Sequence, residues 1–370
     1  YGTYMRANDD DDFAAEMWEL YADLSLGNLW LRLGKQQIVW GEMISARIMD
    51  IINPLDWSWH FQFEPEEFEN IRVPQWSIRA MYNVEQMVVP WLKDLYIEGF
   101  LNPGDISPRI YPEPGSPFNL KPTPPPIYNT TEKDRRGDEE FGFRIGGRVG
   151  QFFGTLNYLH LYSKTGYLED IGPPGPPPFN VENRYPLTNV YGLTLNYAFD
   201  APINLTVTIE GTYTPDQPYA DALAADGGHI READTWKHAI RFDRKTFVFP
   251  RPTDAMMIQF QYSQTVVDNH DKVKSTPAPY SKDNRIDSTK DIIALLFSQN
   301  FWHNNIATSL KLIYDLDGCE YIVPGFKYRY GDYWYFDVYG VILGGSEKRP
   351  GSFGSLDWAD EVFGRITFQF

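Results

Sequence analysis

Cysteine is nearly absent from these 370 residues: Cys319 stands alone, so no intrachain disulfide, cysteine metal cluster or haem-attachment motif can form. Histidine is scarce as well. The six histidines, His60, His160, His229, His238, His270 and His303, are scattered, and no two share one element at metal-ligand spacing. No stretch approaches the roughly eighteen uninterrupted apolar residues that a membrane helix needs. Positive charge is outweighed, 33 Lys and Arg against 50 Asp and Glu for a formal net charge of −17, which speaks against a nucleic-acid partner. No leader peptide is visible in the opening Tyr1-Gly2-Thr3-Tyr4, and the expectation is that a leader and further N-terminal sequence precede it. No nucleophile motif accompanies His160 with Ser163, or His238, the positions where wall-mounted hydrolytic chemistry would sit. Gly146, Gly147 and Gly150 lie within an alternating strand with no helix after them, so they read as close packing and not as a phosphate loop. The acidic groups Asp9 to Asp12, and Asp315, Asp317 and Glu320, lack a complete calcium-loop spacing and read as solvated charge. The expectation is a protein that is not an enzyme and carries no cofactor and no metal.

What is abundant is aromatic. Tyr and Phe occur 24 times each and Trp 11 times, 16% of the chain together, an excess suited to interfacial girdles around a lipid-facing band. The last ten residues, Glu361 to Phe370, alternate: Val362, Gly364, Ile366, Phe368 and Phe370 share one face, and Phe363, Arg365, Thr367 and Gln369 the other. An apolar face running to a terminal Phe resembles the closing strand that the outer-membrane assembly machinery recognises, with Phe368 and Phe370 as the signal. The same alternation predicts strands near 1–7, 16–26, 29–40, 76–84, 92–101, 140–150, 152–164, 188–200, 203–214, 236–248, 255–267, 291–302, 305–316, 321–332, 333–343 and 361–370, about sixteen in all.

If the last strand descends to the periplasm, every second connection lies outside. Those near 8–15, 41–75, 102–139, 165–187, 215–235, 268–290 and 344–360 are long, with 317–320 the short exception, whereas the alternate set is short throughout. That asymmetry predicts a single domain over 1–370: an all-β, transmembrane, antiparallel up-and-down β-barrel with long extracellular loops and short periplasmic turns, in the outer membrane of a Gram-negative bacterium. The Pro-rich runs 112–126 and 172–178 read as loops stiffened by polyproline geometry. Outward go apolar rows such as Trp76, Ile78 and Tyr82, or Tyr191, Leu193 and Leu195. Inward go Arg32, Gln36, Arg79, Arg144, Arg148, Thr208, Glu210, Arg241, Lys311, Lys327, Arg329 and Arg365, a charged wall that requires a wet lumen.

The connection 41–75 differs from the rest. Met43, Ile44, Ile48, Met49, Ile51 and Ile52 are too apolar for a solvated loop, so the segment is expected to fold into the lumen, with a short helix over 43–52 stopped by Asn53-Pro54. Its acids Asp50, Asp56, Glu64, Glu66, Glu67 and Glu69 would then form a constriction facing the basic wall, and opposed charge across a narrow pore sets up a transverse field that favours polar solutes. Alternatively the same charges form a salt-bridged plug.

The ordered series Gly34-Lys35-Gln36, Trp40-Gly41-Glu42 and Asn53-Pro54-Leu55-Asp56, followed by the glutamate cluster and Val73-Pro74, resembles a family of bacterial outer-membrane proteins known mainly as a domain of unknown function. The resemblance covers residues 20–82. It implies an outer-membrane barrel and no established substrate, and family members are usually longer. The functional expectation is a porin-like channel for small polar solutes, filtered by the inward loop. Its partners would be membrane lipid, lipopolysaccharide and the assembly machinery, with a homo-oligomer compatible. The alternative is a scaffold barrel that anchors or sheathes a partner such as an electron carrier or a surface assembly.

Overall fold

The computed structural model describes residues 3–6, 14–56, 71–84, 91–103, 128–129, 139–164, 167–170, 181–220, 230–248, 255–272, 288–345 and 360–369. Twenty strands lie among them: β1 (Thr3–Arg6), β2 (Ala14–Met17), β3 (Leu20–Leu26), β4 (Leu29–Gln36), β5 (Gln75–Asn83), β6 (Leu92–Asn102), β7 (Tyr128–Asn129), β8 (Glu140–Val149), β9 (Phe152–Tyr162) and β10 (Tyr167–Asp170). They continue with β11 (Val181–Arg184), β12 (Leu187–Phe199), β13 (Leu205–Ala220), β14 (Ile230–Thr246), β15 (Met256–Val267), β16 (Thr289–Phe301), β17 (Ile306–Asp315), β18 (Cys319–Tyr330), β19 (Trp334–Gly345) and β20 (Glu361–Phe368).

Fifteen of these form one antiparallel sheet in the order β20-β19-β18-β17-β16-β15-β14-β13-β12-β9-β8-β6-β5-β4-β3. Each strand pairs with its nearest predecessor and successor in the sheet, the up-and-down arrangement that alternation and loop rhythm predict. Where the sequence predicts a closed ring of about sixteen strands, the described residues give fifteen, with β3 and β20 as edges and no ladder between them. The difference lies at the start. The predicted strand 16–26 is broken at Trp18 and Glu19 into β2 and β3, because these two residues are used elsewhere: Trp18 is buried, and the Glu19 carboxylate accepts the backbone N–H of Gln37 at 3.0 Å. Strand β1 pairs with β2 alone. Three further short strands form a small sheet of their own, in the order β10-β11-β7.

One face of the large sheet is largely apolar and exposed, while the buried face mixes apolar residues such as Leu159, Val323 and Val341 with many polar and charged ones. Along β5 the buried positions are Gln75 and Ser77, and the exposed ones are Trp76, Ile78, Tyr82 and Asn83. Along β6 Glu98 and Asn102 are buried while Ile97 and Leu101 are exposed. Farther on, Thr208, Glu210, Gln261, Lys311 and Asp337 are buried, and Leu193, Ile209, Leu310, Val338, Ile342, Val362 and Ile366 are exposed. A sheet in water places these sets the other way round.

The exposed face also carries two rows of rings. Toward the ends joined by the long connections, Phe141, Tyr158, Tyr191, Tyr213 and Trp236 run from strand to strand with successive centroids 6.2, 5.4, 6.4 and 4.1 Å apart. Toward the short turns, Phe152, Tyr197 and Phe199 form a chain at 4.3 and 4.5 Å, and Trp334 lies tilted against Phe368 at 4.8 Å. On β12 the two rows are separated by Leu193 and Leu195. Phe370, predicted as part of the assembly signal, lies outside the described residues.

Candidate functional site

Residues 37–56 leave the end of β4 and run across the polar face of the sheet as a strap, returning through 71–74 to β5. Its base is stapled by Asn53. The Asn53 Oδ1 accepts the N–H of Ile38 at 2.7 Å, and its Nδ2 donates to the carbonyls of Val73 at 2.9 Å and Gln36 at 3.4 Å. Antiparallel contacts close the neck: Val73 N–H donates to Pro54 O at 2.9 Å, and Asp56 N–H to Ile71 O at 2.6 Å. Asp56 is buried there. Asp50 receives Arg72 through two nitrogens at 2.6 and 3.2 Å, and Arg72 also donates to Gln37 at 3.0 Å. Arg47 approaches the same carboxylate at 3.7 Å and donates to Asn53 O at 2.7 Å. Burial pulls the Arg47 guanidinium down to about 10, Asp50 acting in the opposite direction, so it stays charged at neutral pH.

Two glycines of the predicted series have steric reasons to be glycine. A Cβ on Gly41 would collide with the backbone of Asp50, and Gly34, at φ +137°, has the backbone of Leu20 where a Cβ would go.

The predicted helix over 43–52 is absent; the segment is a series of bends. The reason is where its backbone donors go. Glu210 of β13 accepts the N–H groups of both Glu42 and Met49, the latter at 3.2 Å, and Gln261 of β15 accepts that of Ile44 at 2.8 Å. Wall side chains satisfy these groups in place of the i−4 carbonyls of a helix, and β-branched Ile44, Ile48, Ile51 and Ile52 add little helical preference.

The far side of the strap is fixed as firmly as its base. Trp40 Nε1 donates to Glu98 of β6 at 3.0 Å, Gln261 Nε2 donates to Ser45 Oγ at 2.8 Å, Asn196 Nδ2 donates to the Glu42 carboxylate at 3.0 Å, and Arg241 donates to the Glu42 carbonyl. Between these bonds the strap's apolar residues find their cover. Ile38, Trp40, Met49 and Ile52 form one cluster with Phe100, Leu159, Leu161 and Val190 of the wall, and Met43 and Ile48 form another with Ala239. Strand β6 and strand β15 are six steps apart in the sheet, about 29 Å along a flat surface. Trp40 and Ile44 are about 14 Å apart at full stretch. The sheet meets both by curling around the strap.

The wall cations are paired close to home. Arg79 and Arg144 both bind Glu98, each at 2.6 Å, with Arg144 also 5.0 Å above the Trp40 ring. Arg32 binds Asp23 at 2.7 Å, Arg148 binds Asp94 at 3.1 Å, Arg241 binds Asp243 at 2.9 Å, Arg329 binds Asp332 at 2.9 Å and Arg365 binds Asp337 at 3.0 Å. Lys327 lies 6.0 Å from the Tyr339 ring. Asp50 therefore faces Arg72 and Arg47 of its own segment, while Arg79 and Arg144 face Glu98. Glu64, Glu66, Glu67 and Glu69 lie outside the described residues.

Glu98 and Gln261, two of the residues that hold the strap, have no local signal in the sequence, since each is one polar position on an otherwise ordinary strand. Glu210 reads as lumenal by parity, but its partners are more than 150 residues away. Near the long-connection end, Glu140 collects Lys164 at 2.5 Å, Tyr162 N–H at 3.0 Å, and Gln75 and Asn102 at 3.2 Å each. His160 shares Asn189 with Tyr158, both at 2.8 Å. Among the described residues no group of three or more His, Cys, Asp or Glu is placed to hold a metal ion.

The sequence model of a family described as "Protein of unknown function (DUF1302)" matches residues 2–370. No curated protein matches the sequence. Among solved structures the chain is similar to Wzi of Escherichia coli, described as an outer-membrane protein involved in group 1 capsule assembly and a carbohydrate-binding β-barrel. The identity is 9% and the TM-score 0.48, over 92% of this chain and 68% of that one.

Proposed function

The chain belongs to the DUF1302 family of proteins of unknown function, and from that premise we propose that it is a β-barrel of the Gram-negative outer membrane that passes small polar solutes through a lumen narrowed by the strap 37–56. The observation that carries this reading is the largely apolar exposed face of the fifteen-strand sheet, opposite a buried face with many polar and charged residues. Exposed Trp76, Ile78, Leu193, Ile209, Val338 and Ile342 face outward while Glu98, Glu210, Gln261 and Lys311 are buried inward. Lipid tolerates the first set and only a polar interior tolerates the second. The two aromatic rows fit the two interfaces of such a layer. With lipid and lipopolysaccharide against the belt, the long connections face outside and the short turns face the periplasm. Phe368 lies on the strand that the assembly machinery would read, and lateral association into a homo-oligomer is compatible with the same apolar face.

A strap held at both ends filters by size and polarity and does not swing. Purified full-length chain in a planar bilayer, presented with charged and neutral solutes, is expected to give small, steady conductance steps, and deletion of 43–52 to enlarge them severalfold. A barrel that stays silent before and after the deletion overturns the channel.

One observation favours a scaffold as the second reading: the bonds Trp40–Glu98, Ile44–Gln261, Met49–Glu210 and Glu42–Asn196 tie strap to wall as a plug does. Silence in both bilayer experiments, together with a co-purifying partner, supports that reading.

A further inference from the structure

We propose that Arg47, Lys237 and Lys290 form a lumenal binding site for the oxyanion group, carboxylate or phosphate, of a small solute. The site deepens the solute-passage reading and rests on the polar face being the lumen. Lys237 of β14 is paired in register with Thr265 of β15, and Thr265 with Lys290 of β16. The three residues form one row across the sheet. Their parity is that of buried Ala239 and Gln261, so the row lies on the strap side. Paired Cα atoms are about 5 Å apart, which puts the two lysine Cα atoms about 10 Å apart with a hydroxyl between them, close enough for two four-carbon stems to converge on one anion.

The strap supplies the third cation. Ala46 and Ile48, on either side of Arg47, pack against Ala239, two residues from Lys237 on the same face. Among the described residues, Lys290 in the same row and Arg47 on the strap are the positive charges that bear on Lys237. Such an assembly is unfavourable unless something negative sits in it. Among the described residues Lys237 has no hydrogen-bond or ion-pair partner, and Arg47 shares the single carboxylate of Asp50 with Arg72, its own Nε standing 3.7 Å from it without a hydrogen bond. Lys290 reaches Asp315 only at 3.6 Å, with its side chain 43% exposed. Elsewhere on this wall the arginines are matched to carboxylates, and the chain as a whole carries a net charge of −17. With Lys237 unmatched, Lys290 only loosely paired to Asp315 and Arg47 sharing Asp50 with Arg72, positive charge exceeds negative beside the strap, which makes a place for an anion supplied from outside the protein. Oxyanions, with several acceptor oxygens, suit the mixture of guanidinium, ammonium and hydroxyl donors better than halide does.

The test is calorimetric titration of the full chain in detergent at low ionic strength with acetate, inorganic phosphate and, as neutral probe, glycerol. Saturable binding of one oxyanion and none of glycerol is expected, acetate or phosphate identifying which group the site takes. Lys237→Gln and Lys290→Gln should each weaken it by about tenfold or more, and His238→Gln, on the opposite face of the same strand, should leave it unchanged. Heat-modifiable migration confirms that each variant is folded, and the two lysine variants stand in for one another if either fails. Absence of saturable oxyanion binding in the wild type, or wild-type binding in both lysine variants, overturns the site. Conductance separates the two proposals: a barrel that binds the anion and never conducts removes solute passage and keeps the site, while one that conducts without binding does the reverse.

Discussion

Trp40 of the strap donates its indole N–H to Glu98 of the wall at 3.0 Å, and the same carboxylate holds Arg79 and Arg144. One buried anion thus orders two strands beside its own and the segment that crosses them. Trp40→Phe keeps the ring contact with Phe100, 5.3 Å centre to centre, and loses one bond to a charged acceptor, about 1.5–3 kcal/mol. Glu98→Ala is expected to be worse, on the order of 3 kcal/mol, because two mostly buried guanidiniums lose their counter-charge. Chemical denaturation followed by tryptophan fluorescence orders the two variants; equal midpoints would contradict the clamp.

Gly192 and Met49 make a second such contact. A Cβ on Gly192 would meet the Met49 Sδ, and Met49 is fully buried. Gly192→Ala should therefore push on the strap at a cost of about 1–3 kcal/mol, and Met49→Ala in the same chain should recover part of that cost although each change alone destabilises. Additive losses in a double-mutant cycle would place the two residues apart.

At the neck, Asn53→Asp keeps the acceptor for Ile38 N–H and removes the donor that serves Val73 O and Gln36 O. A carboxylate facing two carbonyls should open the base by roughly 1–3 kcal/mol. Limited proteolysis of the folded protein should then cut within 37–56 at least several times faster than in the wild type. Unchanged cutting would mean that the neck is not what holds the strap.

Much of this was legible from residue order. Period-two alternation places thirteen of the fifteen strands of the sheet within a few residues, and parity alone puts Trp76 and Ile78 on the exposed face and Glu210 on the buried one, because one face of most strands is largely apolar. Parity does not report partners. Arg79 and Arg144 look like open pore charges until Glu98 appears between them, and Glu98 is a single letter in Tyr96-Ile97-Glu98-Gly99. The apolar composition of 43–52 calls for cover, which the segment finds against Phe100, Leu159, Leu161, Val190 and Ala239 of the sheet, but the helix expected there gives way to wall acceptors at Glu210 and Gln261, which a local propensity cannot see. The extension of β13 to Ala220 and of β14 from Ile230 also escapes, since Pro215, Pro218 and the bulge between Thr214 and Gln217 read as a loop.

Residues 37–56 lie against the polar face of the sheet, Met49 beside Gly192, and cysteine bridging reads that contact. In a Cys319→Ser background, Met49→Cys with Gly192→Cys should be joined by dibromobimane, a short thiol-to-thiol bridge that fluoresces on double reaction, in protein whose migration shows it folded. Met49→Cys with Leu193→Cys, one residue along and on the exposed face, should not be joined. Bridging of both pairs alike, or of neither in folded protein, would place the strap away from that face.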